Sequence, residues 1–158
     1  MKKELTKGFT MLALTVALAL ATAVASNAQS ANTQVVADIP FQFTVGDQAM
    51  PSGRYAVKTT TSQRKALLIQ SADAKCSAIR LTNSIESAKD NERAKLVFHR
   101  YGERYFLAEV WGSDSNTGRK LMKSRQERAI QRELASTQSK SQQAKSGYET
   151  IEVLAAVR

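Results

Sequence analysis

Among 158 residues this chain has one histidine, His99, and one cysteine, Cys76. One of each is too few for a His/Cys metal cluster, which takes three or four protein ligands. His99 could act as a general base, with Glu109 or Tyr101 as its partner, but a base needs a nucleophile in reach and a group to orient it. No serine sits in a G-x-S-x-G elbow. Asp73, Asp90 and Asp114 are spaced unlike any metal loop, and no glycine-rich phosphate cradle is present. The residues therefore read as non-enzymatic, with no metal and no cofactor. His99 is expected to be a half-buried, hydrogen-bonded structural residue.

The chemistry with the clearest spacing is basic. Arg125, Arg128 and Arg132 recur at three and four residues, so on a helix they line one face, with Lys123 just before them. Residues 119–145 hold eight basic and two acidic side chains, a net of +6. Over residues 29–158 the totals are twenty and thirteen, a net of +7, so nearly all the excess lies in that one segment. A like-charged face repels itself, and a partner carrying phosphates or carboxylates would relieve it. The competing reading is a solvated face that only aids solubility. The candidate partners are anionic lipid, lipopolysaccharide, a polyanionic glycan or an acidic protein. Nucleic acid is disfavoured, because no aromatic side chains interleave the basic positions and because the chain reads as exported.

That reading comes from the first 28 residues. Lys2, Lys3 and Lys7 precede an uncharged apolar stretch from Gly8 to Ala25, and Ala23-Val24-Ala25 and Ser26-Asn27-Ala28 both offer small-residue cleavage sites. This is the pattern of a secretory signal peptide, cleaved near Ala25 or Ala28, for a periplasmic or secreted protein. No second apolar run follows, so no membrane span is expected after cleavage. A lone cysteine allows no internal disulfide, leaving Cys76 buried or paired between chains. The 130 residues left suit one domain with its own core.

Within residues 29–118 the apolar residues alternate. Val35, Ala37, Ile39, Phe41, Phe43 and Val45 fall on every second position, the period of a half-buried strand. Pro40 cannot donate to a ladder, which would put that strand at an edge. Tyr55, Val57 and Thr59 alternate after the Pro51-Ser52-Gly53 turn. Ala66–Gln70 and Ala78–Thr82 flank a turn-like cluster and suggest a hairpin. Ser84–Ala94 and the run GSDSNTG after Trp111 read as loops. Ser124-Arg125-Gln126-Glu127 matches a capping box, and a surface helix from Arg125 to about Thr137 follows. The basic helix and a polar linker occupy 119–146. A last strand in 147–158, with Ile151, Val153, Ala155 and Val157 alternating, is expected to return to the sheet.

The stretch KLVFHRYGERYFLAEVW, Lys95–Trp111, holds five of the ten aromatic residues. Gly102-Glu103 fits a type II′ turn between two strands. In that register Arg100 faces Tyr105, His99 faces Phe106 and Phe98 faces Leu107. Strict alternation would then put Phe98, Tyr105, Leu107 and Trp111 on one face. Val97, Tyr101, Phe106, Ala108 and Val110 would share the other. Apolar weight on both faces marks a central hairpin. About seven short strands, hairpin-rich order and one late helix give a mainly β fold, an antiparallel sandwich or small barrel.

Several segments together carry a resemblance. They are Ile39-Pro40-Phe41-Gln42-Phe43-Thr44-Val45-Gly46, Met50-Pro51-Ser52-Gly53-Arg54-Tyr55, Leu96-Val97-Phe98-His99-Arg100-Tyr101-Gly102, and Tyr105-Phe106-Leu107 with Val110-Trp111. Lys123-Ser124-Arg125 through Glu133-Leu134-Ala135 completes the set. The pattern resembles small exported proteins of unknown function abundant in acidobacteria, over most of the chain after its leader. Met50 and Ser52 stand where that pattern has leucine and alanine. The resemblance implies export and a β-rich fold, and it assigns no catalytic residue. Function is thus expected to be envelope-associated binding through the basic helix, with assembly through a sheet edge as the alternative.

Overall fold

The computed structural model describes residues 34–60, 65–137 and 147–158. The leader read at residues 1–28 and most of the polar linker, 138–146, lie outside the described residues. In chain order the elements are β1 (Gln34–Ile39), β2 (Phe43–Val45), β3 (Gln48–Met50), β4 (Gly53–Thr59), β5 (Ala66–Ser71), β6 (Ser77–Asn91), β7 (Lys95–Tyr101), β8 (Arg104–Trp111), β9 (Ser115–Leu121), α1 (Arg125–Thr137) and β10 (Glu149–Val157). Eight strands follow the order β8-β7-β10-β1-β4-β5-β6-β9, and β9 pairs with β8 to close the ring. All the pairings around the ring are antiparallel. The described residues therefore form a small antiparallel barrel with one helix before the last strand.

The described residues form ten strands, not seven, because the run 35–45 divides into β1 and β2, Gln48–Met50 adds β3, and β9 forms within a segment read as a loop, while the other such segment lengthens β6. Residues 84–91 belong to β6, and β9 starts at Ser115 inside the GSDSNTG run. Ser84 pairs with Arg119 and Glu86 with Thr117, so polar side chains face each other across this ladder. Without an apolar period, such strands leave no pattern to read. The first strand is not an edge. It stops at Ile39, one residue before Pro40, and pairs with β4 on one side and β10 on the other. Proline ends the strand instead of sitting in it.

The central hairpin keeps the expected register through Phe98↔Leu107, His99↔Phe106 and Arg100↔Tyr105. Gly102 has φ of +61°, while Glu103 has no positive φ, the sign pattern of a type II′ turn. Beyond Phe98 a β-bulge places Val97 opposite Glu109, so β8 has one extra residue, Ala108. The bulge reverses the alternation. Val110 therefore joins Leu107 and Phe98 in the core, and Trp111 turns to the outer wall, where its ring lies over Gly118.

The core fills the barrel with side chains from every strand of the ring, including Val35, Ile39, Tyr55, Val57, Ile69, Leu96, Phe98 and Leu121. The β2–β3 hairpin runs on from the start of β8, through a short parallel pairing, and buries Phe43, Val45 and Met50 almost completely. Phe43 meets Tyr55 and Phe98 edge-on at 5.0 and 5.5 Å. Tyr55 packs inward, and its hydroxyl donates to the Pro51 carbonyl at 2.7 Å. Cys76 is half-buried and packs against this core. The last strand pairs within its own chain, with β1 and β7.

Candidate functional site

The capping-box serine starts the helix. Ser124 Oγ accepts from the Glu127 peptide N–H at 3.0 Å, and the Ser124 carbonyl accepts the first helical bond from Arg128. The glutamate is directed elsewhere. Its carboxylate leaves the cap and reaches the outer face of β7, where Oε1 meets His99 Nδ1 at 2.7 Å and accepts from the Tyr101 hydroxyl at 3.3 Å. All three residues are buried. The short contact holds the His99 ring with Nδ1 turned toward the Glu127 side chain. Burial pushes the Tyr101 phenol well above its ordinary range, and the neighbouring Glu127 carboxylate adds to the shift. Tyr148, at the entry to β10, lies against His99 with ring centroids 4.0 Å apart and the rings tilted by 34°. Lys123 closes the cluster, its Nζ bonded to Gln131 Oε1 at 3.0 Å and lying 5.3 Å from the Tyr148 ring centre.

With Glu127 turned inward, the other side of the helix faces out. Arg125, Arg128 and Arg132 are all exposed, and among the described residues none of the three forms an ion pair or side-chain hydrogen bond. The helix spacing brings these three together as expected. It does not include Lys123, which is half-buried and held by Gln131. Two more basic residues of the 119–146 segment also leave the helix. Arg119 and Lys120 lie on β9, and Lys120 pairs with Glu109 at 3.0 Å.

His99 also lines a groove of about 300 Å³ on the outer wall, beside Thr150, Trp111, Glu109 and Glu152. The groove's carboxylates are engaged. Glu152 pairs with Lys95 at 2.8 Å, and Glu109 binds Lys120 and accepts from Trp111 Nε1 at 3.0 Å. The two partners weighed for His99 in catalysis are thus otherwise placed. Tyr101 shares its carboxylate, and Glu109 bonds to Trp111 and Lys120. Among the described residues no hydroxyl or thiol donates to His99, and no group of three or more His, Cys, Asp or Glu side chains is arranged to hold a metal. Sequence reasoning missed Glu127 and Tyr148 as partners of His99. The only signal for Glu127 was its place in the capping box, where a glutamate normally bonds back to the cap.

In comparisons with known proteins, no family model, no curated protein and no solved structure matches this chain.

Proposed function

We propose that this protein is an exported, non-enzymatic, envelope-associated binding protein that engages an anionic surface or partner through Arg125, Arg128 and Arg132. The observation that carries the reading is that these guanidinium groups share an exposed helix face and have no acidic partner among the described residues. Guanidinium matches phosphate and carboxylate geometry with paired donors. The helix is held to the barrel through Glu127, so the face is presented on a rigid support. Docking from outside, without insertion, fits a barrel that packs an apolar core inside and carries the Lys95–Glu152 and Lys120–Glu109 pairs on its outer wall. A transmembrane barrel is arranged the other way, with apolar side chains toward lipid.

The test is binding to phosphatidylglycerol-containing vesicles across a salt series, with neutral vesicles as the control. A basic side chain near an anionic surface contributes about 1 kcal/mol. Changing all three arginines to glutamine is therefore expected to weaken binding roughly a hundredfold at low salt. Wild-type binding is expected to fade as salt screens the charges. Equal binding by wild type and variant, or none by either, would refute the reading.

A further inference from the structure

The barrel has two ends, and they differ. At the end where β8 begins, the β2–β3 hairpin packs Phe43, Val45 and Met50 into the core. At the end where β8 finishes, a cavity of about 250 Å³ opens between β1, β4, β5, β8, β9 and β10. Its floor is the apolar core, through Val35, Val57, Leu67 and Val110. Its wall on β9 carries Arg119 and Thr117. Arg119 is opposite Val110 and two residues before the buried Leu121, so it stands on the inner face of the sheet.

Arg119 is half-buried at the mouth, where a guanidinium standing over apolar side chains is best answered by an opposite charge. Among the described residues nothing answers it. Arg119 makes no ion pair or side-chain hydrogen bond. The nearest acid on the same face of β6 is Glu86, which lies opposite Thr117, and it forms no ion pair with Arg119. This contrasts with Arg80, another inner-face arginine, whose Nη2 donates to the Val45 carbonyl at 3.1 Å. It contrasts also with Lys120, the next residue, paired on the outer wall. An apolar floor under a single unanswered cation is complementary to a molecule with an apolar body and one anionic end.

From this geometry we infer that the open mouth of the barrel binds a small aliphatic monocarboxylate, with its chain on Val35, Val57, Leu67 and Val110 and its carboxylate on Arg119. Small eight-stranded barrels are wide enough to hold one small ligand. A cavity of about 150 Å³ takes benzene, so the volume here suits roughly ten non-hydrogen atoms, the size of an eight-carbon acid. Thr117, two residues before Arg119 on β9, borders the same wall, and its hydroxyl donates to Asn116 Oδ1 at 3.2 Å. This site lies inside the barrel and is independent of the basic helix face outside it.

The test is calorimetric titration of the full chain with sodium octanoate, below the concentration at which it forms micelles, with 1-octanol and octylamine in parallel. Octanoate is expected to bind at one site, and octylamine is expected not to bind. Arg119→Gln should weaken octanoate at least tenfold while leaving octanol within about twofold. Arg125→Gln with Arg128→Gln and Arg132→Gln should leave octanoate unchanged. Val57→Phe, which fills the floor, should weaken both octanoate and octanol. Its circular dichroism spectrum, matching wild type, would show that the barrel is intact. If octanoate fails to bind, or binds equally after Arg119→Gln, or is lost only with the helix arginines, the inference is overturned.

Discussion

Glu127 belongs to the helix through its backbone and to the barrel through its carboxylate. That oxygen meets His99 Nδ1 and accepts from the Tyr101 hydroxyl, with all three side chains buried. Removing one partner of a buried polar group costs more than the bond itself, because the other partners stay buried and unanswered. Glu127→Ala is therefore expected to destabilise the fold by about 3 kcal/mol, read from the midpoint of urea unfolding. Glu127→Gln should cost about half as much, since its amide still offers a hydrogen-bonding partner to both groups. A cost within the roughly 0.5 kcal/mol of ordinary surface changes for Glu127→Ala would mean that the cluster contributes nothing to stability. His99 shows how such a residue escapes a linear reading. Its place on β7, opposite Phe106, followed from the hairpin pattern. Its carboxylate partner is 28 positions away on another element, and no local spacing announces that.

At the scale of elements, what could be read was what repeats. The helix starts at Arg125 because Ser124 caps it. The hairpin register followed from Gly102, whose positive φ sets the turn. The 66–71 and 77–82 segments pair as their apolar runs suggested. What could not be read was a departure from period. One inserted residue, Ala108, moves Trp111 from the core face to the outer wall, and composition gives no sign of it. The second half of β6, residues 84–91, and β9 were hidden by their mostly polar sequence. The cap offers a direct check on the helix. Ser124→Ala removes the acceptor for the Glu127 N–H and should cost about 1 kcal/mol. Ser124→Asp should restore most of that loss, because its carboxylate accepts the same bond and also favours the positive end of the helix dipole. Equal stability of wild type and Ser124→Ala, by urea unfolding, would show that the cap is dispensable.

Over the whole molecule, the barrel closes only when the chain's last strand slots between its first strand and β7. Tyr148 arrives with that strand and covers His99. Closure buries tyrosines on both sides of the wall, Tyr55 inside and Tyr101 outside, and each donates its hydroxyl to an acceptor. Burial raises both phenols above the ordinary tyrosine value of 10.0. The Cys76 and Asp73 side chains add to the shift at Tyr55, and Glu127 adds to it at Tyr101. The sign of the consequence is fixed by linkage. Below pH 10 the folded and unfolded chains both hold these protons, so stability does not depend on them. Above it the unfolded chain releases them first, and stability falls as pH rises. The slope should reach about 1.4 kcal/mol per pH unit for each group, up to about twice that for the pair. Urea midpoints measured from pH 8 to 11.5 test this, alongside phenolate absorbance. Two of the four tyrosines should ionise only as the barrel unfolds. Tyr101→Phe should remove one group's share of the slope. A stability flat to pH 11, or full phenolate absorbance from a still-folded chain, would show that the barrel wall does not shield these hydroxyls.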